Sequence, residues 1–405
     1  MTLIEDPHAL ASKVQADVVA LRRQLHVHPE LGLDLPRTQA AVEEFLDGPE
    51  LRLRRGVALT SVVADLETGR PGPTILLRGD MDALAMPEDT GLDFTSEVEG
   101  RMHACGHDAH TAMLGGAARA LAGIRDQLCG RIRFMFQPGE EGYGGAAVMI
   151  DEGVLDGVDA AFALHVTPNL AAGHLGVRSG PMLAATDEFV INFTGRGGHA
   201  SSPHHATDPV PVAAEAVLAL QTMITRTVDA FNPAVLTVGS LHAGTTSNVI
   251  PETAQMVGTI RTIDERVRRG VIERVSRVVE GIAAAHDCEV TVEMDPGYPV
   301  TVNDARFTQF LTEVAGDTIG ADSVMELPAP VMGAEDFSYV LTRVPGAMAF
   351  LGVCPTTEPN PLAAPACHSN RMMLHEDAMA AGVALHVAVA QRFVSHPPGW
   401  LEPLG

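Results

Sequence analysis

From about Leu10 to Leu46 apolar residues recur at helical spacing, interrupted at HVHPELGLDLPRT, where Pro29 and Pro36 break the pattern. Beyond the Gly69–Pro73 turn, Thr74–Leu77 is a short apolar run of buried-strand type that ends in Arg78-Gly79-Asp80-Met81-Asp82. His107 to Gly123 returns to helical spacing, with Asp108 as the expected N-cap. Arg131–Phe136 predicts a second strand, stopped by Gln137-Pro138-Gly139-Glu140-Glu141, and Ala160–Leu164 a third that runs into His165. Strands alternating with helices predict an α/β sheet. The polar residues gather just past the strand ends, where open α/β sheets form their sites.

The rhythm changes near Leu183. Glu188–Phe193 alternates as a strand, Asp208–Val228 reads as a helix, and Ala234–Ser240 and Thr253–Ile263 as two further strands. A helix over Asp264–His286 and a strand over Cys288–Met294 complete a β-α-β-β-α-β order, that of a ferredoxin-like unit. The expected organisation is a main α/β domain in two parts, 1–182 and 297–405, with 183–296 inserted as an α+β domain. Pro296-Gly297-Tyr298-Pro299 marks the return.

Composition narrows the classes of function. The 405 residues carry 27 Lys+Arg against 51 Asp+Glu, a net charge of −24, which disfavours nucleic acid and anionic membranes as partners. Lys13 is the only lysine, so Schiff-base chemistry and a P-loop are nearly excluded. No uninterrupted apolar run approaches the ~18 residues of a membrane span. Five scattered cysteines (105, 129, 288, 354 and 367) do not form a disulfide framework, and MTLIEDPHAL lacks an export-signal pattern; the cytoplasm is the expected location.

Candidate chemistry centres on MHACGHDAH, residues 102–110. Thiolate and imidazole are common ligands of zinc and its neighbours, and alternate residues of a turning segment can meet one ion, as Cys105 and His107 would. His110, three residues on, faces away or acts behind the ligands. Taken alone, this segment serves equally as a polar loop around a buried cysteine. The pair Glu140-Glu141 adds weight: one carboxylate can bind a metal while its neighbour serves as base to a water. The surrounding Pro138, Gly139, Gly142, Gly144 and Gly145 argue against a solvated helix face. His165 and His368 are each weak signals by themselves. Together Cys105, His107, Glu141, His165 and His368 are too many for one tetrahedral ion with an open position. They suit two ions ~3.5–4 Å apart.

These segments resemble the family of co-catalytic metallopeptidases and aminoacylases that includes carboxypeptidase G2 and succinyl-diaminopimelate desuccinylase. Within it they are most similar to the amidohydrolase branch of hippurate hydrolases, N-acyl-L-amino acid amidohydrolases and plant indole-acetyl-amino-acid hydrolases. The matching stretches are RGDMDAL (Arg78–Leu84), GRMHACGHDAHTAMLGGAA (Gly100–Ala118), FQPGEEGYGGAAVMI (Phe136–Ile150), GRGGHASSPH (Gly195–His204), SNVIP (Ser247–Pro251), MGAEDFSY (Met332–Tyr339) and CHSNRMMLHEDAM (Cys367–Met379). They span nearly the whole chain in order.

The resemblance implies a mixed-sheet α/β catalytic domain of dinuclear zinc-peptidase type, with the insertion acting as lid and dimerisation surface. It implies two divalent metal ions, zinc foremost with manganese, cobalt or nickel as alternatives, held by Cys105, His107, Glu141, His165 and His368. Glu140 would be the base that activates a metal-bridging water, and Asp82 an aspartate behind the ligands that orients one of them. His199 is similar to a histidine that reaches the partner subunit's site and polarises the substrate carbonyl, while Asn248 and Arg261 fall in segments that hold the substrate carboxylate. DALA at Asp82–Ala85 and GAED at Gly333–Asp336 depart from the family's usual DALP and GSED, at positions that shape the pocket wall.

The implied activity is hydrolysis of N-acyl-L-amino acids, hippurate-like or carrying aryl or alkyl acyl groups, to a carboxylic acid and an amino acid. The expected assembly is a homodimer or higher homo-oligomer through the insertion. Three rivals remain: a di- or carboxypeptidase of the same family, a noncatalytic metal-binding protein, and a cysteine hydrolase using Cys105.

Overall fold

Every position of the strand Thr74–Asp80 is buried, as expected of a central strand covered on both faces. The computed structural model of the chain describes residues 5–48 and 50–401. Contacts divide it into two compact units: the chain through Gly180 with Val302–Ala329 and the chain from Tyr339, and a second unit of Pro181–Thr301 with Pro330–Ser338.

The first unit is built on an eight-stranded mixed sheet, in the order Leu51–Arg55, Val62–Glu67, Arg131–Gln137, Thr74–Asp80, Ala160–Thr167, Gly346–Gly352, Leu175–Val177, Val324–Glu326. Its four central strands are parallel: Thr74–Asp80 pairs with Arg131–Gln137 on one side and Ala160–Thr167 on the other, and Gly346–Gly352 extends the set. Register then decides what meets. Asp80 lies opposite Gln137, and Arg78 opposite Ala163, so two residues further along Asp80 is level with His165. All four strands point their carboxyl ends to one edge, and the loops leaving that edge carry Asp82, Glu140 and Glu141.

Helices Pro7–Val27, His107–Ala122 and Met379–Ser395 pack on one another beside this sheet, with Ala305–Ile319 against the last of them. Glu376–Ser395 is long and apolar enough by composition to cross a membrane, but 78% of its most apolar window is buried, so it reads as a core helix. The His107–Ala122 helix corrects one expectation. Its N-cap is Gly106 at φ +79°, and Asp108 sits in the first turn. The Asp108 carboxylate is instead bound by Arg22 Nε at 2.8 Å and His26 Nδ1 at 2.7 Å, both from the first helix. A second buried ion pair, Arg133 Nε to Asp65 Oδ1 at 2.6 Å, ties two neighbouring strands of the sheet.

The second unit follows the expected β-α-β-β-α-β order: Ala185–Thr194, Pro209–Thr227, Ala234–Ala243, Thr253–Thr262, Glu265–Ala285 and Glu289–Pro296. Its four strands form one antiparallel sheet, with Ala185–Thr194 and Thr253–Thr262 in the centre. Asp208 and Asp264 cap the two helices, each accepting a main-chain N–H from the first turn. Val271, Val275, Val279 and Ala283 recur every fourth residue as the buried stripe of the second helix, packed with Phe189, Ile191 and Phe193 of the sheet. Pro330–Ser338 joins this unit where Ala184 N–H donates to the carbonyls of Val331 and Gly333.

Candidate metal centre

Three parallel strands and the turn before the His107–Ala122 helix bring the ligand-type residues together. Gly106 makes the turn workable in two ways. Its φ of +79° is left-handed, and a Cβ there would lie 2.4 Å from Val166 Cγ2. Cys105 and His107 on either side of it are therefore held close to the strand that carries His165. The ligand atoms of Cys105, His107 and His165 all lie within 4.8 Å of one another, and Cys105 Sγ is 3.4 Å from His165 Nε2. The Nδ1–H of His165 donates to its neighbour's carbonyl, Val166 O, at 2.7 Å, which leaves the Nε2 lone pair facing the thiol.

The two glutamates are set by one aspartate. Asp82 Oδ1 accepts the Glu140 N–H at 2.9 Å and Asp82 Oδ2 the Glu141 N–H at 3.0 Å, fixing the main chain from which both side chains diverge. Gly139, at φ +74°, sits where a Cβ would strike Leu33 Cδ2 at 2.4 Å. Glu141 Oε1 reaches His368 Nε2 at 3.2 Å, and Cys105, Glu141 and His368 form a second group whose ligand atoms lie within 4.8 Å. His368 is itself left-handed, at φ +68°, anchored by its N–H to Ala104 O at 2.8 Å.

His107 joins the two groups. It is fully buried and neither ring nitrogen has a hydrogen bond. Around it stand Asp80 Oδ2 and Asp82 Oδ1, each at 3.7 Å, and Glu140 Oε2 and Glu141 Oε1, each at 3.9 Å. Burial alone would disfavour a charged imidazole, but Asp80, Asp82 and Glu141 outweigh it and push the His107 pKa well up. A buried imidazole with both nitrogens unbonded, ringed by carboxylates and a thiol, is the donor set a divalent transition metal takes up, so the residues fit a metal. Glu141 is held below the usual carboxylate range: burial opposes its ionisation, and the hydrogen bond and charge of His368 together with His107 prevail.

Two groups behind the cluster were only partly legible. Asp80 is fully buried and ion-paired to Arg78 Nη1 at 2.5 Å; burial opposes its charge, yet Arg78, His107 and His110 hold its pKa well below normal. The two-residue spacing of Asp80 and Asp82 past the end of a strand was the available signal. The Cys367 thiol donates to Val166 O at 3.7 Å, and its interaction with Cys105 holds the Cys367 pKa down at about 6 while pushing that of Cys105 up. Nothing local to Cys367 announces that partner. His110, buried down to a pKa of about 4, lies behind His107 and His165 rather than among the ligand groups they form with Cys105 and the glutamates.

The remaining expected site residues lie in the second unit. His199 is exposed and accepts from Ser201 through Nδ1, and it pairs in register with Val249, next to Asn248. His199 and Asn248 line one open cleft of about 490 Å³ with Gly197, Gly198 and Val249–Glu252. Arg261 is not brought to that cleft. It stands eight residues along the strand that begins at Thr253, about 25 Å of extended chain away.

Acidic, imidazole and thiol groups converging past the carboxyl ends of parallel strands define a metal-binding hydrolase of the α/β class. Residues 76–392 match Peptidase family M20/M25/M40, and the chain belongs to that family. It is 40% identical over 353 residues to N-acetyl-L-cysteine deacetylase of Bacillus subtilis (strain 168), covering 87% of this chain and 84% of that protein. It is 42% identical over 301 residues to N-acyl-L-amino acid amidohydrolase of Geobacillus stearothermophilus, covering 74% and 81%. Thermostable carboxypeptidase 1 of Saccharolobus solfataricus (strain ATCC 35092 / DSM 1617 / JCM 11322 / P2) is 37% identical over 402 residues, covering 97% and 99%. Among solved structures, the Bacillus subtilis YXEP protein, described as a dinuclear metal binding peptidase from the M20 family, superposes with a TM-score of 0.82 at 33% identity, over 95% of this chain and 99% of that one.

Proposed function

We propose that the protein hydrolyses N-acyl-L-amino acids, with hippurate-like or other aryl- or alkyl-acyl groups, at a dinuclear centre held by Cys105, His107, Glu141, His165 and His368. The observation that carries this reading is the pair of main-chain bonds from Glu140 and Glu141 to one carboxylate, Asp82. They leave Glu141 directed to His368 and Glu140 beside His107. Two divalent ions would supply polarisation of the amide carbonyl and a more acidic water. Thiolate with imidazole favours zinc, with manganese, cobalt or nickel as alternatives.

Glu140 then has two tasks. Its carboxylate takes a proton from the attacking water as the C–O bond forms, and it delivers that proton to the amide nitrogen as the C–N bond breaks. Water and amide are thereby converted to a carboxylic acid and a free amine with no further reactant. Asp82 keeps Glu140 and Glu141 in register for this. His199 is proposed to polarise the carbonyl in a partner subunit's site, with Asn248 beside it in the same cleft as a contact for the substrate carboxylate; Arg261, away from that cleft, is left out of the proposal. The proposed assembly is a homodimer through the second unit. A cytoplasmic location is part of the proposal, supported by scattered cysteines that form no disulfide framework.

The test is a screen of metal-reconstituted protein over N-acetyl, N-benzoyl, long-chain-acyl and aryl-acetyl amino acids beside free dipeptides. Higher kcat/KM on the acyl-amino acids is the expected result. Preference for dipeptides would make it a peptidase, the reading the carboxypeptidase relative favours, and bound metal without turnover would make it a binding protein. For His199→Ala the expected outcome is a fall in kcat of ~10²–10³-fold with metal content unchanged, the size typical of losing one oxyanion donor. Steady-state kinetics beside metal analysis decide it; an unchanged kcat removes His199 from the reaction.

A further inference from the structure

His110 binds two elements of the site at once. Val166 N–H donates to His110 Nε2 at 2.8 Å, so that nitrogen carries the lone pair and the ring proton sits on Nδ1. His110 Nδ1–H in turn donates to Asp80 Oδ1 at 2.5 Å. Thr111 Oγ1, next along the helix, donates to the main-chain oxygen of Asp80 at 2.7 Å, so the helix grips the end of that strand twice. On the other side, the Val166 carbonyl accepts the Nδ1–H of His165 at 2.7 Å. Both main-chain groups of Val166 are thus engaged by imidazoles, one from His110 and one from the candidate ligand His165. The His110 ring also lies 4.6 Å from the His165 ring and 5.4 Å from that of His107, centroid to centroid.

We infer that His110 is a positioning residue: a hydrogen-bonded spacer from Asp80 to the Val166 main chain that sets His165 Nε2 against Cys105 and His107. The inference rests on the reading of those three residues as metal-holding. The strand end at His165 is held by its ladder to Gly346–Gly352, and the His110 side chain, bonded at both ends, adds a second tie from Asp80 to the Val166 main chain. Groups that orient ligands from behind change metal affinity by ~10–100-fold when lost, while leaving the fold in place.

The two ring nitrogens can be separated. His110→Asn keeps a donor at the Nδ1 position for Asp80 and loses the acceptor for Val166; His110→Gln keeps an acceptor at the Nε2 position and loses the donor. Cobalt(II) is the probe, titrated against a competing chromogenic chelator, with the thiolate-to-cobalt absorption reporting the Cys105 bond. H110N is expected to bind one of two cobalt equivalents ~10–100-fold more weakly and to lose absorption intensity, while H110Q stays near the parent protein. Equal weakening in both, or in neither, overturns the inference. If the parent protein binds two cobalt ions and only this pattern is missing, the site reading survives without His110; if it binds none, both fall. Nitrogen-15 NMR of the histidines needs no variant: His110 should be the Nδ1–H tautomer, and a protonated Nε2 would overturn the spacer.

Discussion

Replacing Glu140 by glutamine is expected to lower kcat on an N-acyl amino acid by ~10⁴-fold, the upper end for general acid–base catalysis, because the same carboxylate acts in both halves of the reaction. The change removes one charge and almost no volume, and the Glu140 N–H that Asp82 accepts belongs to the main chain, so the loop keeps its anchor. Metal content should therefore stay at the parent value. Glu141→Gln is the contrasting variant. Glu141 faces His368 at 3.2 Å and His107 at 3.9 Å, and the amide is a far poorer ligand than the carboxylate, so this variant should lose metal along with activity. Element analysis beside kinetics separates the two. A Glu140→Gln enzyme that turns over normally would remove the proposed mechanism; one that lost its metal would move Glu140 into the ligand set.

That contrast depends on features the amino-acid pattern revealed unevenly. Cys105, His107 and the adjacent glutamates stood out as candidates because individually weak signals fell together just past strand ends, and parallel strands bring their carboxyl ends to one edge whatever the loops contain. The second unit's order was legible from alternation in its strands and helical spacing between them. What escaped the sequence depends on partners distant along the chain. Asp108 has the composition of a cap, but Arg22 and His26, more than eighty residues earlier, claim its carboxylate, and only glycine suits the turn that precedes it. The reach of Cys367 to Val166, and the placing of His110 between Asp80 and Val166, likewise come from tertiary packing with no local signature. Arg261 shows the reverse case: its segment suggests kinship with Asn248, yet strand geometry carries it far along from the cleft.

Removing metal with a chelator is expected to abolish hydrolysis and to lower the melting temperature, with both restored by zinc, cobalt or manganese. The stability effect follows from the crowding at His107. Asp80, Asp82, Glu140 and Glu141 all stand within 4 Å of its buried ring, and Arg78 is ion-paired to the first of them. Like charges this close are costly in a dry interior unless a cation compensates them. A divalent ion binding the folded chain alone stabilises it by mass action, by about 1.4 kcal/mol for each tenfold rise in free metal above its Kd. The melting temperature should therefore climb with the logarithm of metal concentration, a readout independent of turnover. Cys105→Ser sharpens the test: it keeps the shape of the turn but removes the thiolate, so it should bind cobalt more weakly and lose the sulfur-to-metal absorption. Hydrolysis that survives exhaustive chelation in the parent protein but disappears in Cys105→Ser would instead make Cys105 a nucleophile. The 3.4 Å approach of His165 Nε2 to its sulfur would then be read as that of a base to a thiol.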